Sequence, residues 1–244
     1  GLRELDVDVI GLLRFNPAMV AMAADDFVRA VLVAKLHARE VWVGPDFRFG
    51  HRRGGDVALL QRMGAELGFA THALPLVEDA GERVSSTAVR AALANAELDR
   101  AAVLLGRPYA IPGRVVRGKQ LGRTLGYPTA NLRFGGKRPP MHGIFATWVH
   151  GVGDRPMASV SSLGTRPTVN GKEPLLEAHL FDFNGDLYGR RISVEFVAKL
   201  RDELKFDGLP ALIEQMDRDS AEARAILAGR ASAGHPQPLS LTTP

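Results

Sequence analysis

No cysteine occurs anywhere in the 244 residues. That absence excludes disulfide scaffolds, thiolate nucleophiles, iron–sulfur clusters and cysteine-based zinc sites. It also fits a reducing, cytoplasmic setting. Aromatic side chains make up only 7% of the chain, so the clustered rings on which single-stranded nucleic acids stack have little to be built from. Long apolar runs are missing too. Arg29 and Lys35 interrupt the best candidate, Val28 to Leu36, well short of the ~18 residues that span a bilayer. No signal-peptide pattern is visible, and the chain opens at Gly1 directly into patterned sequence, from which we expect a longer parent polypeptide.

What remains is an ordinary globule, 45% apolar and 24% charged. Lysine and arginine total 31 against 27 acids, a formal surplus of +4. A surplus that small suits an anionic small-molecule substrate as well as it suits a nucleic acid. The length fits one large domain or two of ordinary size, and roughly 70% of the unfolded surface can be buried without a covalent or metal staple.

Up to Gly106 the sequence alternates strand and helix signals. Val7–Leu13 is a short apolar run, and Asp25–Leu36 has Phe27, Val31, Leu32 and Leu36 on one helical face. Glu40–Val43 and Phe69–Val77 read as strands. Asp56 caps a helix with the stripe Leu59, Leu60, Met63 and Leu67, closed by Gly68. Ser85 and Ser86 are good N-caps for a helix through Val89 and Leu93, and Leu98–Leu105 continues helical. This order predicts a parallel sheet covered on both faces, with ligands at the carboxyl ends of its strands.

After Gly106 glycine and proline become dense and period-two strands recur: Ala110–Arg117, Thr129–Phe134, Ile144–Val149, Met157–Ser162, Leu175–Phe183 and Arg191–Val197. In the last, Ile192, Val194 and Phe196 point one way and Ser193 and Glu195 the other. Six short strands predict a closed antiparallel barrel. Helices follow over Leu209–Met216 and Ala221–Leu227, and residues 229–244 read as a disordered tail. The fold class expected is therefore α/β plus all-β. Residues 1–106 are expected to form a Rossmann-like parallel-sheet domain, and residues 107–228 a six-stranded barrel with carboxyl-terminal helices.

The most specific stretch is Gly113 to Asn131, GRVVRGKQLGRTLGYPTAN. Gly113, Gly118 and Lys119 match a P-loop, but Gln120 stands where a hydroxyl must hold magnesium and no helix follows to present its amides. A glycine-rich hairpin with solvated arginines is the plain alternative. A third reading has Gly118, Gly122 and Gly126 clearing side chains for backbone amides to approach phosphate, with Arg123 supplying charge. Thr129 and Asn131, two apart in an extended strand, then offer two hard oxygens on one side, suited to a magnesium ion that bridges phosphates.

The pattern GRVxxGxxxGRxLGxPTAN resembles the ATP-binding segment of riboflavin kinase. LGTRPT (Leu163–Thr168), LEAHLFD (Leu176–Asp182), DLYG (Asp186–Gly189) and LRDELKF (Leu200–Phe206) follow in that family's order. The resemblance implies that Gly118, Gly122, Arg123, Pro128 and Thr129 bind ATP, and that Thr129 and Asn131 hold the Mg2+ of MgATP. It implies that Glu177 is the base for the ribityl hydroxyl. Asn131, Glu177, Arg201 and Phe206 would contact the flavin, with Lys205 in the segment that closes over it. The chemistry is coherent, since phosphoryl transfer to an alcohol needs alignment, charge neutralisation and a nearby carboxylate. Glu177 shares a strand face with His179 while Leu176, Ala178 and Leu180 face the core, and we expect its carboxylate to turn inward at the barrel mouth. His142, His150 and His235 show no metal-ligand spacing and read as surface residues.

Two further motifs precede the barrel. Gly44–Gly50 (GPDFRFG) leaves a strand, and Val84–Arg90 (VSSTAVR) opens a helix with hydroxyls and an arginine one turn in, an anion site by helix-terminus logic. Together they resemble the FMN adenylyltransferase module of bacterial bifunctional FAD synthetases. That implies an adenylyltransferase site of Asp46, Phe47, Arg48, Ser85, Ser86, Thr87 and Arg90. The module's opening strand and HxGH-type loop have no match here, the first histidine being His37 within a predicted helix. The expectation is a polypeptide that phosphorylates riboflavin but adenylylates FMN weakly or not at all.

Substrates would then be riboflavin, FMN and ATP, with no nucleic acid or membrane partner. The rival from another class is a nucleic-acid-binding barrel with the footprint Arg114, Arg117, Lys119, Arg123, Lys137 and Arg138, whose affinity would fall steeply with salt. A third is an adenylyltransferase-like domain of other specificity on a barrel used for protein contact.

Overall fold

The computed structural model describes residues 7–79, 81–118, 121–134, 139–168 and 171–232. They form two compact units, Gly1–Arg83 and Val84–Pro244.

In the first unit, β1 (Glu40–Val43) and β2 (Ala70–Ala73) pair in parallel, Glu40 beside Ala70 through Val43 beside Ala73. The short helices α1 (Pro17–Ala21) and α2 (Ala24–Phe27) precede them, and α2 runs directly into a π-helical turn over Val28–Val33. Between the strands lies α3 (Val57–Leu67), with both of its expected ends. Asp56 Oδ1 accepts from the Leu59 amide at 2.9 Å, and Gly68 takes φ +84°, a left-handed cap that glycine adopts without steric cost. Val28, Phe49, Leu59, Leu60, Met63 and Phe69 are the core. β2 is shorter than the run Phe69–Val77 because Pro75 has no N–H to donate to a ladder. β3 (Glu78–Asp79) and β4 (Glu82–Arg83) close the unit as a small hairpin. The expected third strand is not found: Val7–Leu13 forms no strand, with Val9 83% and Leu12 91% exposed.

The second unit opens with α4 (Ser86–Ala94), capped by Ser85, and α5 (Leu98–Leu105). The barrel follows: β5 (Ala110–Val116), the single turn α6 (Leu121–Thr124), β6 (Ala130–Arg133), β7 (Gly143–His150), β8 (Met157–Thr168), β9 (Gly171–Leu180) and β10 (Arg191–Arg201). It closes in the order β10-β5-β6-β9-β8-β7, every neighbouring pair antiparallel. Leu132, Phe145, Val149, Leu163, Leu176, Ile192 and Val194 fill it, as the period-two pattern requires. Leu93, Leu98 and Leu104 from α4 and α5 belong to the same apolar cluster. The change of texture at Gly106 thus marks a change of secondary structure, while the contacts divide the chain at Arg83/Val84.

A single helix, α7 (Leu209–Ser232), stands where two were expected. Asp219 looks like a helix breaker, but its carboxylate is taken by Arg201 and Gln215, so it does not compete for the helix's own amides. The helix packs Ala223 and Leu227 on Ala146 and Phe181 of the barrel's outer wall. It also runs four residues into the stretch read as a tail; the rest of that stretch lies outside the described residues.

Candidate active site

Strand register builds the site. Asn131 is the cross-strand partner of Glu177, Glu177 of Ser162, Ser162 of Ile144 and Ile144 of Arg201. Directly paired residues share one face of a sheet, with Cβ atoms roughly 4.5–5.5 Å apart. Five successive strands therefore contribute one row. Leu176 and Ala178 are fully buried on the opposite, inner face, so the row lies on the barrel's outer wall. This corrects the expectation of an inward-turned carboxylate at the barrel mouth. Strand alternation, which puts Leu176 and Ala178 inside, necessarily puts Glu177 outside.

Residues 203–209 and α7 cover this wall, leaving a cavity of about 770 Å³. Thr129, Asn131, Glu177, Arg201 and Phe206 all line it, together with Gly122, Tyr127, Ser162, His179 and Ser220. Six residues predicted from three separate motifs, Gly122 among them, are thus brought to one enclosure. A second cavity of about 560 Å³ is lined by Arg117, Pro128, Asp186 and Tyr188, and Thr129 borders it too. Arg117 lies 5.3 Å from the Tyr188 ring centre. The DLYG turn is held by the Tyr188 amide donating to Asp186 Oδ1 at 2.8 Å.

The glycine-rich segment has local reasons for its glycines. A Cβ at Gly118 would strike the Asn131 side-chain amide, and one at Gly122 would strike the Tyr127 carbonyl oxygen. The Tyr127 amide donates to Gly122 O at 2.7 Å, closing the turn. Asn131 is 6% exposed, and its Nδ2 reaches Thr129 O at 3.5 Å. Gly118 and Asn131 are therefore in close contact. The Arg123 side chain, Lys119, Lys137 and Arg138 lie outside the described residues. Of the basic footprint, Arg114 donates to Gly189 O at 2.7 Å.

Arg201 lines the cavity, but its guanidinium is engaged. Nε and Nη2 donate to Asp219 at 2.9 and 2.6 Å, and Nη1 to Asp202 O at 2.9 Å. Its charge lies 5.8 Å from the Phe206 ring centre. Tyr127 donates its hydroxyl to Asp217 of α7. Burial, and then that carboxylate, push the phenol up to about 12, so it remains a donor at neutral pH. Asp217, Asp219 and Tyr127 escaped sequence reading. Ser162 was legible in principle, from the pairing of two predicted strands. His150 is not the surface residue expected: its Nε2 lies 2.8 Å from Glu195 Oε2, and both side chains are largely buried.

The amino-terminal motifs fall in different compact units. In the first, Asp46 accepts from Arg83 Nη2 at 2.8 Å, which holds its carboxyl below the usual range. Phe47 stacks on Phe49 with ring centres 5.6 Å apart. Arg48 donates to Asp56 Oδ2 at 2.9 Å. In the second unit, Ser85 Oγ accepts from the Ala88 amide at 3.1 Å, and Arg90 folds back to Ser86 Oγ at 3.2 Å and Thr87 Oγ1 at 3.5 Å. Each set is locally satisfied.

A family model for riboflavin kinase matches residues 105–227, and one for FAD synthetase matches residues 1–88. The bifunctional riboflavin kinase/FMN adenylyltransferase of Escherichia coli K12 is 45% identical over 223 residues, 91% of this chain and 71% of that one. The enzyme of the same name from Haemophilus influenzae is 40% identical over 92% of this chain and 73% of its own. The chain belongs to the bifunctional riboflavin kinase/FMN adenylyltransferase family. A solved structure described as a macrolide-efflux protein from Streptococcus pneumoniae shares the fold at a TM-score of 0.69 and 31% identity, covering 87% of this chain and 68% of that one. Among the described residues here, no helix is long and apolar enough to cross a membrane.

Proposed function

We propose that this chain converts riboflavin and ATP to FMN and ADP in its barrel, within residues 107–228. The motifs of residues 1–106 belong to the second reaction of its family, FMN and ATP to FAD and pyrophosphate, which this chain, with no match to the HxGH-type loop, would catalyse weakly or not at all. The observation that carries the kinase reading is the row Asn131–Glu177–Ser162 inside one cavity, with Thr129 bordering that cavity and a second one. Two enclosures meeting at a hydroxyl suit two substrates that meet at a phosphate.

The ribityl 5′-hydroxyl oxygen attacks the γ-phosphorus in line, the bond from that phosphorus to the β-bridging oxygen breaks, and ADP departs with its electrons. Glu177 accepts the hydroxyl proton as the P–O bond forms. Asn131, its register partner, stands on the phosphate side. No cluster of three or more His, Asp or Glu residues among the described ones could hold a metal alone. A hydroxyl and an amide oxygen are nonetheless the donor set for an ion that arrives with phosphates. Gly118 against the Asn131 amide leaves backbone, rather than a side chain, at that place. Thr129 and Asn131 would hold Mg2+, which when bound neutralises charge on the transferring phosphoryl group. Gly122, Arg123 and Pro128 would flank the nucleotide, and Phe206 the flavin, with Arg201 behind it. Of the adenylyltransferase residues, Asp46, Phe47 and Arg48 in the first unit would contact flavin and nucleotide, and Ser85, Ser86, Thr87 and Arg90 in the second would contact phosphate, each set taken by itself.

Asn131→Ala should raise the KM for MgATP about tenfold or more, since a metal-phosphate contact is lost and a buried amide removed. Initial rates at saturating riboflavin measure this. An unchanged KM would remove Asn131 from the nucleotide site.

A further inference from the structure

We infer that His179 is a positioning residue of the nucleotide site: its Nδ1–H donates to the Pro128 carbonyl and so holds Thr129 at the boundary between the two cavities. The inference rests on the proposed kinase function and deepens it. The ladder between β6 and β9 runs from Leu132–Leu176 through Asn131–Glu177 to Ala130–Ala178 and ends there. Pro128 lies just beyond that end, and proline has no N–H with which to continue a ladder. His179 is two residues past Glu177 on the same strand face, and its Nδ1 lies 2.9 Å from Pro128 O. A carbonyl oxygen only accepts, so the proton is on Nδ1. A side chain thus supplies a cross-strand bond where the main-chain ladder has stopped.

The Pro128 carbonyl belongs to the peptide group that leads into Thr129, and a peptide group is planar. Fixing that oxygen therefore fixes the Thr129 amide. Pro128 and Thr129 line the second cavity, and Thr129 and His179 line the first. On the far side of Thr129, Asn131 Nδ2 reaches its carbonyl oxygen at 3.5 Å. The residue proposed to hold the metal is thus gripped before and after by side chains of the strand row. The imidazole is itself held. It meets Tyr127 edge-on with ring centres 5.1 Å apart and Phe181 edge-on at 5.8 Å. Phe181 is buried, with the Arg224 guanidinium 4.1 Å from its ring centre. These contacts set the plane of the imidazole and hence the direction of Nδ1. The effect of His179 reaches the phosphates through Thr129.

The test compares His179→Ala, His179→Asn and His179→Gln by initial rates of FMN formation on the full chain. An asparagine side-chain nitrogen reaches the place of Nδ1, and a glutamine nitrogen the place of Nε2. His179→Ala should raise the KM for MgATP about three- to tenfold, the range one hydrogen bond can shift. His179→Asn should return it to within about twofold of wild type with kcat kept within about threefold, whereas His179→Gln should stay with alanine. Long-range nitrogen–proton spectra of labelled wild-type protein at mildly alkaline pH, assigned by the signal lost in His179→Asn, should show His179 as the Nδ1–H tautomer. The inference is overturned by an unshifted KM in His179→Ala, by asparagine and glutamine behaving alike, or by the Nε2–H tautomer. It is overturned too by a His179→Asn variant that regains KM but loses kcat, which would put the ring in the chemistry. Wild-type protein that forms no FMN would overturn the kinase reading as well; any of the other outcomes in an active enzyme overturns this inference alone.

Discussion

Glu177→Gln should lower kcat for FMN formation by about 10² or more while riboflavin still binds. The substitution keeps the size and shape of the side chain but replaces an anionic acceptor with a neutral amide that cannot take a proton. Its surroundings make the expectation specific. Glu177 sits between Asn131 and Ser162 in the strand register, on a wall whose inner face is closed by Leu176 and Ala178. The variant changes one atom of a row fixed by ladder hydrogen bonds on both sides, so loss of fold is not an available explanation. Initial rates together with a flavin titration measure both quantities. An unchanged kcat would take Glu177 out of the chemistry.

Asp219→Ala should destabilise the barrel unit by roughly 3–5 kcal/mol, because it leaves Arg201 mostly buried without its counter-ion. At this size that corresponds to a fall in Tm of roughly 10 °C. Trp148, part of the apolar seam under α7, reports the transition by fluorescence in a Trp42→Phe background. The double variant Arg201→Met/Asp219→Leu should recover much of the loss, since replacing a buried pair with apolar residues of similar volume is often neutral or better. A single variant as stable as the parent would mean that water, not Asp219, solvates the guanidinium.

Much of this was legible in the chain. Period-two patterning located all six barrel strands, because apolar side chains alternate toward the barrel's interior and turn residues separate the strands, even where the outward-facing side chains, such as Asn131, Ser193 and Glu195, are themselves covered. The ends of α3 followed from Asp56 and Gly68, whose side-chain and backbone chemistry act locally. The candidate kinase residues were legible because they lie in contiguous motifs. What escaped depends on long-range pairing. Nothing local to Asp217 or Asp219 announces partners at positions 127 and 201, and an aspartate within a helical pattern reads as a terminator until its counter-ion is known. The side of the wall on which Glu177 lies needed only the alternation rule, applied through to its consequence. Val7–Leu13 has strand-like composition, yet composition supplies no neighbour to pair with.

The helices α4 and α5 place three leucines in the apolar filling of the barrel. Anyone trimming the gene to isolate the kinase should therefore begin at residue 84. A fragment starting at 107 would leave those neighbours bare, forfeit on the order of 5 kcal/mol of burial, and be expected to precipitate where the longer piece stays monodisperse.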